Sequence, residues 1–228
     1  MGEVAVVDRE TIERQDAIRG NVKIPEAYNH WSSTYDTDKN LTRDLDQVIT
    51  KSALSDLRCK LILEIGCGTG KNSSMLAKIG EEVHALDISV GMIKKAKEKQ
   101  GLSKVTFSIA DITQQWPYAG DCADLVVCNL VLEHIEDLCC IFSEASRSMV
   151  QGGHFFICEL HPYRQYQGTK ARFIIDQGII EIQAFVHHIS DYLEAAEVNG
   201  LTLQGCGEWW HEEDQNKLPR LVSFMFVK

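Results

Sequence analysis

The sequence contains no apolar run that reaches the roughly 18 residues of a membrane-spanning helix. Its eight cysteines form no C-x-x-C pair, and its eight histidines do not show the spacing of metal ligands. We therefore expect no membrane span, no structural metal site and reduced thiols. The N-terminus lacks the basic and apolar segments of a signal peptide, so we expect a cytoplasmic protein.

Basic residues are scarce as well. The 23 Lys and Arg residues stand against 33 Asp and Glu residues, which gives a formal net charge of −10. Proteins bind nucleic acids largely through Lys and Arg contacts to phosphate, so this balance argues against a DNA or RNA partner. The strongest basic cluster, residues 94–99, is best explained as the solvated face of a helix.

The most informative segment that is present covers residues 61–72. A short apolar run predicts a buried strand that ends at the acid Glu64. Because glycine has no Cβ, a glycine-rich turn between a strand and a helix lets a ligand approach the bare backbone. The turn contains three alternating glycines: Gly66, Gly68 and Gly70.

The glycine spacing does not fit two common cofactor motifs. The dinucleotide fingerprint is G-x-G-x-x-G, and its third glycine, counted from Gly66, would fall on Lys71. A P-loop would require a glycine at Ile65 and a hydroxyl at Asn72. What remains is an acid followed by G-x-G-x-G, so an NAD-dependent oxidoreductase is only a weaker alternative.

The strands predicted downstream lead into further polar side chains. In open α/β sheets, ligands bind at the carboxyl ends of the strands, and a carboxylate at such an end can bind both ribose hydroxyls. A single polar residue of this kind is usually a solvated loop residue, but several at successive strand ends rarely occur by chance. The polar residues at these strand ends are Asp87, Asp111 and Asn129.

This pattern resembles the first motifs of the class I S-adenosylmethionine (SAM)-dependent methyltransferases. Over residues 26–228 the chain is most similar to the branch typified by ubiquinone and menaquinone biosynthesis, including Ala27–Trp31 and Thr34–Asp36. The resemblance implies in-line transfer of the SAM methyl group to an O, N or C atom of a small molecule, with release of S-adenosylhomocysteine. The alternative is a SAM-binding sensor or partner subunit without catalysis.

The resemblance also implies which residues contact the cofactor. In the family, the glycines pass close to the methionine part of SAM, and the acid before them orients its ammonium group. The next two acids bind the ribose and the adenine amino group. The implied cofactor contacts are Tyr28, Tyr35, Glu64, Gly66, Cys67, Gly68, Gly70, Asn72, Asp87, Ile88, Asp111, Ile112, Asn129 and Leu130.

Candidate catalytic residues are few, and a general base is needed only where the nucleophile must lose a proton. Glu133 and His134 follow the fourth predicted strand, near the expected position of the methyl group, and His161 opens a long connection. For His134 a partly buried structural role is the simpler explanation. Glu133 is alternatively suited to hold a cationic amine.

The connection 161–188 is longer than the short loops that usually join a strand to the next helix in an α/β sheet. It contains a predicted hairpin, with strands at 173–176 and 179–185 and a turn at Gln177–Gly178. We hypothesise that this insertion roofs the acceptor pocket together with residues 22–36, although a dimer contact or an extra core layer fits equally well. The candidate acceptor contacts are Trp31, Tyr163 and Tyr166.

The alternation of strands and helices predicts an α/β fold. We expect a Rossmann-like, seven-stranded, mostly parallel sheet with an antiparallel edge strand, helices on both faces and a lid-like insertion. Residues 1–21 should form a flexible segment and residues 22–228 one domain, which begins with a helical cap at 22–57. Thr42 is the candidate N-cap of the second cap helix. We expect a monomer or a homodimer.

Overall fold

The computed structural model describes residues 22–175, 178–214 and 217–228. The segment 1–21, predicted to be flexible, lies outside the described residues, as do Asp176 and Gln177 of the predicted hairpin. Within the described ranges, no helix is both long enough and apolar enough to cross a membrane. The same ranges contain no group of three or more His, Cys, Asp or Glu side chains arranged to hold a metal ion.

A seven-stranded sheet forms the centre of the fold, and a separate two-stranded hairpin lies in the insertion. In the large sheet the order is β3-β2-β1-β4-β5-β9-β8, with β1 to β5 parallel and β9 antiparallel to both of its neighbours. The predicted fold class and the antiparallel pair at the edge are confirmed. The strands are β1 (Cys59–Ile65), β2 (Gly80–Asp87), β3 (Val105–Ile109), β4 (Ala123–Asn129), β5 (Met149–Leu160), β6 (Arg172–Ile175), β7 (Gly178–Glu181), β8 (Thr202–Trp209) and β9 (Leu221–Val227).

Helices cover both faces of this sheet. Ile49 and Leu76 belong to the core on one face, and Phe142 and Tyr192 belong to the core on the other. Two short 3-10 turns, at Leu132–His134 and Glu212–Asp214, interrupt the connections. The helices are α1 (Ile24–Trp31), α2 (Leu41–Leu54), α3 (Ser73–Ile79), α4 (Val90–Glu98), α5 (Leu138–Ser148), α6 (Pro162–Tyr166) and α7 (Ile189–Val198).

One local expectation is corrected. The N-cap of α2 is Asn40, whose side-chain oxygen accepts hydrogen bonds from the backbone N–H groups of Thr42 and Arg43. Its extended backbone lets the side chain turn back, whereas Thr42 already lies in the first helical turn. Strand β5 begins at Met149 and contains a bulge near its start, where Gly152 has φ +79°.

The N-terminal cap and the insertion pack against each other. The indole of Trp31 stacks on the ring of Phe173, with centroids 5.5 Å apart and planes 13° from parallel. Ala27 from α1 and Ile180 from β7 belong to the same small core. The two segments thus form one layer beside the carboxyl ends of the central strands.

Candidate active site

A cavity of about 430 Å³ opens at the carboxyl ends of β1, β2 and β4. The structure brings to its wall every cofactor contact that the sequence suggested except Gly70, and it adds His134. Gly70 instead packs beneath α4 and β3, where an added Cβ would lie 3.3 Å from both Ala96 and Phe107. The predicted residues on the wall are Tyr28, Tyr35, Glu64, Gly66, Cys67, Gly68, Asn72, Asp87, Ile88, Asp111, Ile112, Asn129, Leu130 and His134.

The glycine turn forms the floor of this cavity. Gly66 and Gly68 have φ values of +74° and +53°, which favour glycine. A Cβ on Gly66 would lie 2.1 Å from the Val131 side chain, so this position is closed by packing. A Cβ on Gly68 would meet no atom of the described residues within 4 Å. The backbone at Gly68 therefore borders open space that a ligand can fill.

Asp87 ties the end of β2 to the glycine turn. Its Oδ2 accepts the backbone N–H of Gly68 and its Oδ1 accepts the backbone N–H of Ser89, both at 2.8 Å. Burial raises the pKa of the Asp87 carboxyl, and the backbone hydrogen bonds oppose this effect. The carboxylate is thus fixed beside the glycine turn, where it is expected to bind the ribose of the cofactor.

Glu64, at the end of β1, lies deeper. Its carboxylate accepts a hydrogen bond from the hydroxyl of Ser73, at the start of α3. Burial raises the pKa of Glu64 to about 8, although the hydrogen bond from Ser73 lowers it. A buried acid of this kind ionises readily only when a cation binds beside it.

Helix α2 contributes an acid that the sequence analysis missed. Asp46 lines the cavity, and its carboxylate accepts hydrogen bonds from the side-chain amides of Asn72, at 2.9 Å, and Asn129, at 2.8 Å. The available signal was an acid on the apolar face of a predicted helix, three residues before Ile49. Other wall residues that were missed are Arg43, Thr69, Lys71 and Gln183.

The cap is fastened over the cavity by polar contacts. The side-chain oxygen of Asn29 accepts hydrogen bonds from the Ser89 hydroxyl and the Gly91 backbone N–H, both at 2.8 Å. Asp36 accepts a hydrogen bond from the Thr69 hydroxyl at 2.6 Å and pairs with Lys99 at 2.9 Å. These contacts hold the segment around α1 against both the glycine turn and the start of α4.

His134 projects from the 3-10 turn between β4 and α5. Its Nδ1 lies 2.8 Å from the main-chain oxygen of Gln183, and its Nε2 lies 2.7 Å from the hydroxyl of Tyr28. A carbonyl oxygen only accepts, so Nδ1 carries the proton and Nε2 accepts from Tyr28. Burial lowers the pKa of His134 and raises that of Tyr28, which keeps both groups neutral.

Glu133 is buried beside His134 but does not line the cavity. Its Oε1 lies 3.8 Å from the Nε2 of His134, and its Oε2 has no hydrogen-bond partner among the described residues. Burial raises the pKa of Glu133 to about 7, although a side-chain hydrogen bond from Gln165 lowers it. Glu133 is therefore placed to respond to a charge on His134 rather than to touch a ligand.

Two buried side chains hold the turn that carries these groups. Oε1 of Glu159, in β5, accepts the backbone N–H groups of Val131 and Leu132, both at 2.9 Å. The His187 Nε2, from the insertion, lies 3.1 Å from the carbonyl oxygen of Leu132 and 2.7 Å from that of Ile135. These contacts fix the backbone on both sides of Glu133 and His134.

The structure does not place His161 at the cavity. This imidazole is fully buried, with its Nε2 2.8 Å from a carboxylate oxygen of Glu208, and its Nδ1 accepts the Tyr163 backbone N–H at the start of α6. His161 thus caps the start of α6, where Pro162 occupies the first helical turn. A catalytic role for His161 stays a prediction.

The three candidate acceptor contacts also lie elsewhere. Tyr163 and Tyr166 are about half exposed, and the Tyr166 hydroxyl bonds to the Nδ1 of His188 rather than facing the cavity. Trp31 is buried against Phe173, with its indole N–H donated to Asp38. Of the described insertion residues, Gln183 is the one that reaches the cavity wall. The insertion supports the turn that carries His134, and its tyrosines do not line the cavity. The hypothesis that it roofs the acceptor pocket stays a prediction.

Comparison with known proteins agrees with this site. Residues 63–157 match the family model of a methyltransferase domain. An uncharacterized methyltransferase of Emericella nidulans is 26% identical, over 80% of this chain and 77% of its own length. The malonyl-[acyl-carrier protein] O-methyltransferase of Hahella chejuensis is 27% identical, over 80% of this chain. The ubiquinone biosynthesis O-methyltransferase of Xanthomonas oryzae is 28% identical, over 64% of this chain. The matched regions cover less than two thirds of the last two proteins, 64% and 62% of their lengths.

Solved structures share the fold. An S-adenosylmethionine-dependent methyltransferase from Mesorhizobium loti superposes with a TM-score of 0.68 at 18% identity, over 83% of this chain and 100% of its own. The complex of DhpI with S-adenosylhomocysteine has a TM-score of 0.67 at 20% identity, over 87% of this chain and 92% of its own. At this level of identity the likeness concerns the fold alone.

The match over residues 63–157, the similar proteins and the cavity together indicate a SAM-dependent methyltransferase, with SAM as its cofactor. The expected ubiquinone branch is one of several to which the relatives belong, so the comparison supports the class and not that branch alone. The residues present fit the cofactor, because Gly68 borders open space and the side-chain oxygens of Asn72 and Asn129 are buried without partners among the described residues.

Proposed function

We propose that the protein methylates an oxygen atom of a small molecule whose hydroxyl group must lose its proton, and that His134 is the general base. The observation that carries this proposal is the Nε2 of His134. It is the accepting nitrogen of a neutral imidazole, and the Tyr28 hydroxyl already donates to it at the cavity wall. The acceptor hydroxyl would take the position of that phenol.

The cofactor would be held by the strand ends. Asp87 is suited to the ribose hydroxyls and Asp111 to the adenine amino group, as in the family, and Glu64 is suited to the ammonium group. When bound, SAM supplies an electrophilic methyl group attached to a sulfonium. These acids follow β1, β2 and β3, which are neighbours in the sheet, so they form a row along the cavity in the order of the cofactor's parts.

The electrostatics around His134 suit proton transfer. A base acts best when it is unprotonated at the working pH, and burial keeps the pKa of His134 below its ordinary value. After His134 takes a proton, the Glu133 carboxyl at 3.8 Å is the nearby group able to balance the new charge. The Gln183 carbonyl holds the Nδ1 proton throughout, so the accepting atom remains Nε2.

The names of the similar proteins also support an oxygen acceptor. Two of the relatives are named as O-methyltransferases, one for malonyl-[acyl-carrier protein] and one in ubiquinone biosynthesis. For any acceptor, the alignment of reactants in the site would contribute up to roughly 7–11 kcal/mol of barrier reduction. The net charge of −10 disfavours polyanionic acceptors.

The test is a screen with radiolabelled SAM against phenols, carboxylic acids and amines. We expect turnover with a phenol, and a loss of kcat of at least about a hundredfold in His134→Ala, since general bases typically contribute 10²–10⁴-fold. The matched control is His30→Ala, which removes an exposed imidazole on α1. Methylation of amines alone, or full activity in His134→Ala, would contradict the proposal.

A further inference from the structure

The buried acid on the cap helix has no role in the scheme above. Asp46 is 4% exposed and lies on α2, far in sequence from the glycine turn and from the end of β4. It is nevertheless hydrogen bonded to Asn72, which follows the glycine turn, and to Asn129, which ends β4. Asp46 thus joins three separate parts of the chain at the cavity.

The chemistry of this contact fixes the orientation of both amides. An ionised carboxylate only accepts hydrogen bonds, so Asn72 and Asn129 must each turn their NH₂ group toward Asp46. Their carbonyl oxygens then point away from it, and both are buried without a partner among the described residues. An unpaired buried acceptor is costly, which indicates that a donor completes the site.

Asp46 itself is held firmly in place. Its Oδ1 also accepts the Thr50 hydroxyl at 3.2 Å, and the Cys158 thiol donates to the same carboxyl. The other charged groups that influence it are Lys71 from the turn, Glu64 from β1 and Glu159 from β5. Asp46 and Glu64 both line the cavity wall, and two neighbouring carboxyls there favour a cationic ligand.

The sheet order shows which end of the cofactor would lie here. Asp111, Asp87 and Glu64 follow β3, β2 and β1, and β4 is the next strand across. If the adenine lies at Asp111 and the ribose at Asp87, the amino-acid end of SAM lies over β1 and β4. Asp46, Asn72 and Asn129 meet at that end.

We propose that Asp46 is a positioning residue for the amino-acid end of the cofactor. It orients the Asn72 and Asn129 amides so that their carbonyl oxygens accept from the ammonium group, and it adds a negative charge that favours this cation. Because Asp46 belongs to α2, cofactor binding also orders the cap. The inference rests on the proposed function only for the cofactor and does not depend on the acceptor.

Calorimetry with three ligands tests the proposal. SAM and S-adenosylhomocysteine carry the amino-acid group, whereas 5′-methylthioadenosine lacks it. We expect Asp46→Asn to weaken the first two by about tenfold to a hundredfold, as for the loss of hydrogen bonds to a charged group, and to leave 5′-methylthioadenosine within about twofold. Asp56→Asn, an exposed acid just beyond α2, is the matched control and should change none of them.

A selective loss of the ligands that carry the amino-acid group distinguishes a positioning role of Asp46 from a general loss of protein stability. A partly unfolded variant would lose all three ligands equally, and that result, or unchanged binding of SAM, would overturn the proposal. If Asp46→Asn does not fold, Asn72→Ala removes one of the oriented amides and should show the same selective loss. Failure of the wild type to bind SAM at all would instead contradict the cofactor assignment.

Hydrogen exchange tests the coupling to the cap. SAM should increase the protection of backbone amides in residues 41–54, and 5′-methylthioadenosine should not. In Asp46→Asn this difference should disappear. Equal protection by both ligands in the wild type would show that α2 does not sense the amino-acid end, and would overturn this part of the inference.

Discussion

The Nδ1 of His134 lies 2.8 Å from the main-chain oxygen of Gln183, 49 residues further along the chain. This contact joins the turn after β4 to the insertion. Two neighbouring contacts strengthen the junction: the Phe185 backbone N–H donates to the carbonyl oxygen of Glu133 at 2.7 Å, and His187 contacts the carbonyl of Leu132. The insertion therefore sets the tautomer of the candidate base as well as the backbone that carries it.

The pH dependence of turnover should reflect this environment. Burial lowers the pKa of His134 from 6.5, so the imidazole remains an unprotonated base at a lower pH than a solvated histidine. We expect kcat/KM for an oxygen acceptor to fall only below pH 6.5, with the acid limb absent from the residual activity of His134→Gln. A limb that persists in this variant would assign the titration to another group.

Gly68 in the glycine turn provides a test of cofactor contact, because the only change is a methyl group placed in the open space beside its backbone. Gly68→Ala introduces a Cβ at φ +53° with no neighbour among the described residues within 4 Å. The backbone strain costs about 1–2 kcal/mol of unfolding free energy. SAM should bind at least about tenfold more weakly, because the methyl group occupies the space that the cofactor needs.

Gly101→Ala is the matched control for that experiment. Gly101 has φ +78° and equally open surroundings, but it lies outside the cavity wall. It should lose similar stability in chemical denaturation and keep full affinity for SAM. Equal SAM affinity in the two variants would show that the cofactor does not approach the backbone at Gly68.

SAM affinity should also depend on the protonation of Glu64. Burial raises the pKa of Glu64 to about 8, and an ammonium group beside it favours the ionised form. Binding below that pH therefore releases a proton, and affinity should rise between about pH 6 and pH 7.5, by at most about tenfold per unit. Above this range the ammonium group of the ligand begins to deprotonate, near pH 7.7–8.0.

Calorimetry in buffers of different ionisation enthalpy measures the released proton directly. Glu64→Gln should abolish the release and flatten the pH dependence. Glu82→Gln replaces an exposed acid in β2 and should leave both unchanged. Proton release that survives in Glu64→Gln would move the titrating group elsewhere on the cavity wall.

The sheet and the row of polar strand ends could be predicted because both depend on local sequence. Glu64 and the glycine turn are continuous in the chain, and Asp87 and Asn129 each end an apolar run. A parallel sheet brings such ends to one edge whatever the loops do. The class of cofactor was implied by the resemblance of that order and of the glycine spacing to the motifs of a known family.

The contacts that depend on the packing of distant segments could not be predicted in this way. Asp46 meets Asn129 across 83 residues, and Tyr28 meets His134 across 106. Tyr163 was a candidate acceptor contact, but it lies in a proline-initiated helix, where it is about half exposed and outside the cavity wall. Such details depend on loop conformation, which hydrophobic periodicity does not encode.

We expect an ion-pair network outside the cavity to stabilise the cap and the insertion. Asp214, which is 1% exposed, forms two hydrogen bonds of 2.6 Å with the guanidinium of Arg220 and lies 3.0 Å from Arg164 in α6. Arg220 also reaches the Thr42 hydroxyl in α2 at 3.1 Å. The carboxylate thus links the loop before β9 to both segments, and its removal leaves the charge of two partly buried guanidinium groups uncompensated.

We expect Asp214→Asn to lower the free energy of unfolding by about 3–5 kcal/mol at pH 7, as for a broken buried ion pair. The neighbouring arginines hold the pKa of Asp214 at about 2, below its ordinary value of 3.8. A lowered acid pKa stabilises the folded state above about pH 4, and that stabilisation is lost as the pH falls toward 2.

Urea denaturation at a series of pH values should therefore show a constant difference in unfolding free energy between wild type and Asp214→Asn down to about pH 4, and a smaller difference below it. Glu213→Gln breaks an exposed pair with Lys39 and should change stability by less than about 1 kcal/mol. A similar small change in Asp214→Asn would show that the network adds nothing beyond a surface ion pair.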